Sequence, residues 1–263
     1  MKGPAVFLAQ FMSDSAPFDT LPSAARWMAE AGYVGIQIPT WDSRCIDLGL
    51  AAESQDYCDE LAGTCREAGV EITELSTHLQ GQLVAVHPAY DVAFDGFAPE
   101  ALRGKPAERQ AWAVEQLRLA ARASGRLGLN AHATFSGALA WPYLYPWPQR
   151  PAGLIEEAFD ELARRWKPIL DAYDEVDVSF ALEVHPTEIA FDLASTRRAL
   201  SAVDHHPRFG FNFDPSHFAY QGVDYVAFLA EFADRIFNVH VKDVWWSDRP
   251  AEAGVFGGHA DFG

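Results

Sequence analysis

Six times along this chain a short apolar run gives way to a longer stretch whose apolar residues recur at helical spacing, and a seventh run follows the last of these stretches. The runs lie at 5–11, 33–38, 70–77, 129–134, 176–183, 209–214 and 236–241. They are short and mostly apolar, which reads as strands buried on both faces. The stretches 20–31, 52–68, 107–125, 153–174, 192–203 and 223–233 read as helices. Local punctuation agrees with this division. Thr20 and Pro22 mark a helix start, and Gly32 and Gly69 close the first two helices. Repeated strand–helix units imply a parallel sheet with right-handed crossovers. Such a sheet either closes into a barrel or stays open and doubly wound. No Gly-x-Gly-x-x-Gly follows the first run, so the open dinucleotide-binding sheet lacks its best marker.

Composition excludes several roles. The formal charge is −17, from 37 acidic against 20 basic side chains, and such a surface repels a phosphate backbone. No nucleic-acid partner is therefore expected. No run reaches the roughly 18 apolar residues of a membrane span, and the N-terminus lacks the apolar core of a secretion signal. The three cysteines, Cys45, Cys58 and Cys65, form no disulfide or metal-type pattern, and a reduced, cytoplasmic protein is the expectation. Aromatic residues make up 13%, with 8 Trp, and cluster in loops such as 141–147 (Trp-Pro-Tyr-Leu-Tyr-Pro-Trp). Aromatic loops of this kind often wall small-molecule pockets.

The polar residues at strand ends carry the chemistry. Glu183, Asp214 and His240 each end an apolar run, in three successive units. In a barrel those ends meet at the C-terminal mouth, where barrel enzymes place their sites. Two carboxylates and an imidazole converging there make a divalent-cation site for Mn2+, Mg2+, Co2+ or Zn2+. His185, His217 and Lys242 follow these residues closely, His78 ends the third run and His132 lies near the end of the fourth. These five are the candidate substrate-binding residues.

Leu-Glu-Val-His-Pro at 182–186, Asn-Phe-Asp-Pro-Ser-His at 212–217 and Asn-Val-His-Val-Lys-Asp at 238–243 resemble the sugar phosphate isomerase/epimerase family, the xylose isomerase-like TIM barrels. The resemblance covers nearly the whole chain and does not single out a substrate. It implies a (β/α)8 barrel, with residues 1–263 as one domain. It also implies that Glu183, Asp214 and His240 are three of four metal ligands, that Glu183 is one of two acid/base carboxylates, and that His217 contacts substrate. The family's fourth ligand is a glutamate ending an eighth strand. No eighth strand can be read in 244–263, so the last βα unit is expected beyond Gly263, with Asp261 a weak stand-in.

The reaction that fits is isomerisation or epimerisation of a sugar, keto-sugar or cyclitol through a metal-stabilised enediolate, with Glu183 as catalytic acid/base. A metal-dependent lyase or dehydratase on a keto-sugar uses the same intermediate. A phosphodiesterase of the endonuclease IV type and a non-catalytic sugar-binding subunit are further alternatives. A small carbohydrate is the expected partner, and a homo-oligomer is left open.

Overall fold

The structure is a computed structural model that describes residues 3–143 and 151–245. Most of the aromatic loop 141–147, Asp261 and the expected eighth unit lie outside the described residues. Among the described residues there are seven strands: β1 (Ala5–Phe7), β2 (Gly35–Pro39), β3 (Glu71–Ser76), β4 (Ala131–Thr134), β5 (Ser179–Glu183), β6 (Phe209–Phe213) and β7 (Ile236–Val239). They form one sheet in the order β1 to β7, every neighbouring pair parallel. The helices are α1 (Leu21–Glu30), α2 (Leu48–Glu53), α3 (Gln55–Ala68), α4 (His78–Gly81), α5 (Asp91–Phe94), α6 (Pro106–Arg126), α7 (Leu154–Asp174), α8 (Leu193–Ala202), α9 (Pro215–Tyr220) and α10 (Tyr225–Phe232). The sheet curls toward a barrel with β1 and β7 as its edges. The curl brings Phe7 and His240 into a stack, with ring centroids 6.0 Å apart. A seven-stranded curl of this kind is consistent with an eighth unit between β7 and β1.

Two expected elements differ most in extent, while β4, β5 and β7 are shorter than their apolar runs. The first run is strand only over Ala5–Phe7, because β1 pairs with β2 no further than Phe7 and the chain then turns through Leu8–Gln10. The helix expected over 52–68 begins earlier and is broken at Ser54, which is extended and caps α3 by accepting from Tyr57 N. Asp47 caps α2 in the same way. The long connection after β3 carries α4 and α5 and is braced by the buried Arg109, which pairs with Asp91 and Asp95.

Strand alternation assigns the faces. Phe180 packs on Trp166 and Tyr173 of α7, and Phe211 on Phe228 and Phe232 of α10. The period of two then turns Glu183, Asn212 and Asp214 away from the helices and into the barrel. Cys45, Cys58 and Cys65 are free and buried. Burial pushes the Cys45 thiol up to about 12 and the Cys65 thiol up to about 11, as suits inert core residues. Among the described residues no helix is long and apolar enough to cross a membrane.

Candidate active site

Glu183 ends β5 with 3% of its surface exposed, and five polar side chains from elsewhere in the chain converge on it. Its Oε2 accepts from Asn212 Nδ2 at 2.8 Å and His78 Nε2 at 2.9 Å, and His240 Nδ1 lies 3.1 Å away. Its Oε1 faces His217 Nε2 at 3.0 Å, with Lys242 Nζ at 3.9 Å. Burial alone would push this carboxyl up. The imidazoles that surround it, His217 first, outweigh burial and hold it well below the usual carboxylate range. Glu183 therefore stands ionised in a place where a lone charge would be costly.

Asp214 follows β6 and caps α9, its Oδ1 accepting from Ser216 N at 3.0 Å and Ser216 Oγ at 2.6 Å. Its Oδ2 is fully buried and accepts no aligned hydrogen bond, although Lys242 Nζ sits 2.5 Å away and His217 Nε2 3.3 Å away. His240 follows β7, its backbone N–H donating to Phe213 O, which fixes its place at the mouth. His78 opens α4 with Nδ1 2.5 Å from Ser76 Oγ, and burial lowers its affinity for a proton.

The other expected residues divide. His185 lies edge-on to the His217 ring at 4.1 Å and joins the site. Burial pushes it down to about 4, so it is a neutral imidazole at ordinary pH. His132 does not join it. Its ring points to the helix layer, with Nε2 2.7 Å from Thr77 Oγ1, Nδ1 3.3 Å from Ser124 Oγ of α6, and Tyr173 of α7 alongside. Alternation along β4 turns it outward.

Among the described residues two sets of donor atoms come within 4.8 Å of one another, His78–Glu183–His240 and Glu183–Asp214–His217. Glu183 belongs to both. The expected trio of Glu183, Asp214 and His240 falls across the two sets rather than within one. Its donor chemistry nevertheless suits a hard divalent cation. Asp214 Oδ2 is a buried oxygen whose close neighbour is the Lys242 ammonium, and Glu183 Oε2 and His240 Nδ1 stand 3.1 Å apart.

Several residues at the site carry no strand-end signal. Asn212 lies inside a quoted motif, two positions before Asp214, on the face that alternation turns inward. Gln37 interrupts the apolar Ile36–Ile38 run, and its Oε1 meets His240 Nε2 at 3.2 Å. Glu188, in the loop after β5, is buried; its Oε2 takes Ser136 N at 2.6 Å, Gly137 N at 2.5 Å and Ser136 Oγ at 3.0 Å. This anchors the turn that sets the Phe135 ring 4.6 Å from His78 and 5.2 Å from His185. Burial pushes the Glu188 carboxyl up to about 7. Gly137 sits at φ +96°, with Ala85 backbone where a Cβ would go, so only glycine fits that turn.

No curated protein matches the sequence. Solved structures do, at low identity. The 3-keto-D-glucoside 4-epimerase YcjR from E. coli shares 14% identity at a TM-score of 0.63, covering 91% of this chain and 78% of that one. The probable 3-DHS dehydratase AsbF of petrobactin synthesis from Bacillus anthracis shares 19% at 0.61, covering 96% and 80%. The IOLI protein with a bound zinc atom shares 16% at 0.58, covering 91% and 72%. These likenesses reflect a shared fold. The model of the xylose isomerase-like TIM barrel family matches residues 25–263, and the chain belongs to that family.

Proposed function

We propose that this protein is an isomerase or epimerase of a sugar, keto-sugar or cyclitol, working by proton transfer at a carbon beside a carbonyl. The observation that carries the reading is Glu183, a buried carboxylate kept ionised by the imidazoles around it at the mouth of the barrel. Similar folds include the 3-keto-D-glucoside 4-epimerase and D-psicose 3-epimerase with D-fructose, whose substrates are keto-sugars. Glu183, Asp214 and His240 would hold a divalent cation, Mn2+, Mg2+, Co2+ or Zn2+. When bound, that cation polarises the substrate carbonyl and stabilises negative charge on its oxygen.

The chain's own groups divide the remaining work. Glu183 Oε2 already accepts from Asn212 and His78, whereas Oε1 has one imidazole and the Lys242 ammonium beside it. Oε1 is therefore the oxygen that takes the substrate proton. His217 gives up its bond to Oε1 as that proton arrives and turns to a substrate oxygen. Lys242, more than a third exposed, offsets negative charge on the substrate. His78, His185 and the Phe135 ring shape the wall against which a sugar packs and from which water is excluded. The −17 charge and the lack of a glycine-rich phosphate cradle favour an unphosphorylated sugar.

The test is solvent-deuterium uptake into a panel of keto-sugars and cyclitols by cation-loaded protein. Glu183→Gln keeps a ligand oxygen and the side-chain shape but accepts no proton. Wild-type exchange that disappears in this variant supports the assignment; undiminished exchange moves the base elsewhere. A second reading, a dehydratase on a keto-sugar, is favoured by the likeness to the probable 3-DHS dehydratase, matched over 96% of this chain. It shares the proton abstraction and differs in releasing water, which a dehydrated product would reveal.

A further inference from the structure

We propose that Gln37 and Glu74 are positioning residues that lock His240 in the tautomer protonated at Nε2, leaving Nδ1 as a bare lone pair turned to Glu183. The inference rests on the reading of His240 as a cation ligand.

The link is built into the sheet. A bulge between Ile36 and Gln37 shifts the β2–β3 register, so that Ile36 pairs with Ile72 but Gln37 pairs with Glu74. Thr73 is skipped, and Gln37 and Glu74 come to share a face. Bulges commonly re-aim side chains in this way. Gln37, 2% exposed, donates from Nε2 to Glu74 Oε1 at 3.1 Å. A carboxylate oxygen only accepts, so the NH2 end of Gln37 must face Glu74. Its carbonyl Oε1 then faces His240 Nε2 at 3.2 Å. A carbonyl also only accepts, so His240 Nε2 carries the proton.

The other side of the ring is compatible with the same tautomer. Asn212 Nδ2 donates to Glu183 Oε2 at 2.8 Å and lies 2.9 Å from His240 Nδ1. Its Oδ1 has no hydrogen-bond partner, so the carboxylate alone dictates which way this amide points. The same amide nitrogen is within reach of a lone pair on Nδ1. The Gln37 amide, oriented by the Glu74 carboxylate, is what selects the tautomer. His240 Nδ1 and Glu183 Oε2 are then two acceptors 3.1 Å apart, with a single Asn212 amide group between them. Metal-bound histidines commonly donate their second ring N–H to a partner that fixes the ring, and loss of that partner costs about 10- to 100-fold in affinity. Here the partner is a neutral amide backed by a carboxylate on the next strand.

The experiment reads the tautomer directly. In the metal-free full chain with 15N-labelled histidine, long-range proton–nitrogen correlation at pH 8 reports which nitrogen of His240 is protonated, assigned by comparison with His240→Gln. Wild-type protein is expected to show a single Nε2–H form, a result that needs no variant to fold. Gln37→Met keeps the length and removes both amide groups; Glu74→Gln lets the Gln37 amide turn either way. Both are expected to give mixed tautomers, with Mn2+ affinity by titration calorimetry falling about 10- to 100-fold in Gln37→Met. A wild-type His240 protonated at Nδ1 overturns the proposal, as does a Gln37→Met protein with unchanged tautomer and affinity. If the tautomers shift but wild-type protein binds no Mn2+, the orienting link stands and the cation reading falls.

Discussion

Glu188 offers a quantitative test, because its buried carboxyl and its three donors make opposite demands. All three donors, Ser136 N, Gly137 N and Ser136 Oγ, converge on Oε2. Oε1 can therefore carry a proton without disturbing any of them. Burial dominates and pushes the folded carboxyl up to about 7, against 4.5 when exposed. A carboxyl raised on folding stabilises the protein fully below the unfolded pKa, and that contribution is lost as pH rises through the folded one. At about 1.36 kcal/mol per unit, the full loss across roughly 2.5 units is about 3 kcal/mol. Between pH 5 and pH 8 about 2–3 kcal/mol of it should be lost. Glu188→Gln is the clean perturbation. Its amide oxygen accepts the same three donors, its NH2 stands where the protonated oxygen stood, and it carries no charge at any pH. The assay is urea unfolding of both proteins at pH 5 and pH 8, read as the change in their stability difference, so that other titrating groups cancel. Glu188→Gln should gain about 2–3 kcal/mol on the wild type over that interval. A stability difference independent of pH would refute the argument. A change of opposite sign would mean that the three hydrogen bonds to the charged form outweigh burial.

Further expectations follow from the same geometry. Asp214→Ala should abolish stoichiometric divalent-cation binding, measured by elemental analysis of protein purified without chelator; full occupancy would remove Asp214 from the site. Lys242→Met removes the ammonium beside Asp214 Oδ2 and should tighten Mn2+ binding several-fold at low salt while slowing deuterium exchange, the first effect shrinking as salt rises. Phe180→Ala should cost about 3–5 kcal/mol in chemical unfolding, because its ring is fully buried between Trp166, Tyr173 and Phe209. The three buried thiols should be silent to a disulfide exchange reagent at pH 8 and react together once denaturant is added.

The strands were legible because each is an apolar run, and burial on both faces writes itself into composition. Boundaries were less so where pairing rather than composition ends an element. Leu8–Phe11 is as apolar as Ala5–Phe7, yet β1 stops where its register with β2 stops. Ser54 reads as an ordinary helix residue until its hydroxyl is seen capping α3. The segment between β3 and α6 gave no reading at all. Its short turns are held by Arg109, whose partners Asp91 and Asp95 are 18 and 14 residues away, beyond any helical or strand period.

At the site, sequence names the strand-end residues but not the geometry between them. Position at a strand end says that a side chain reaches the mouth; it says nothing of which atom meets which. Glu183 has two oxygens, and they face different company: Asn212, His78 and His240 at Oε2, His217 and Lys242 at Oε1. Asp214 and His240 fall into different donor sets around one carboxylate, although all three residues sit at equivalent points in the strand pattern. The same limit explains His132. It lies in a strand like the others, but one residue of alternation separates a side chain in the barrel from one against the helices, and β4 turns its histidine to Ser124 and Tyr173. Gln37 and Glu74 were hidden for a related reason. Their pairing depends on a bulge that skips Thr73, and a bulge has no apolar signature. The residues that orient the site are thus legible only once register is known, because they act through the neighbouring strand rather than along their own.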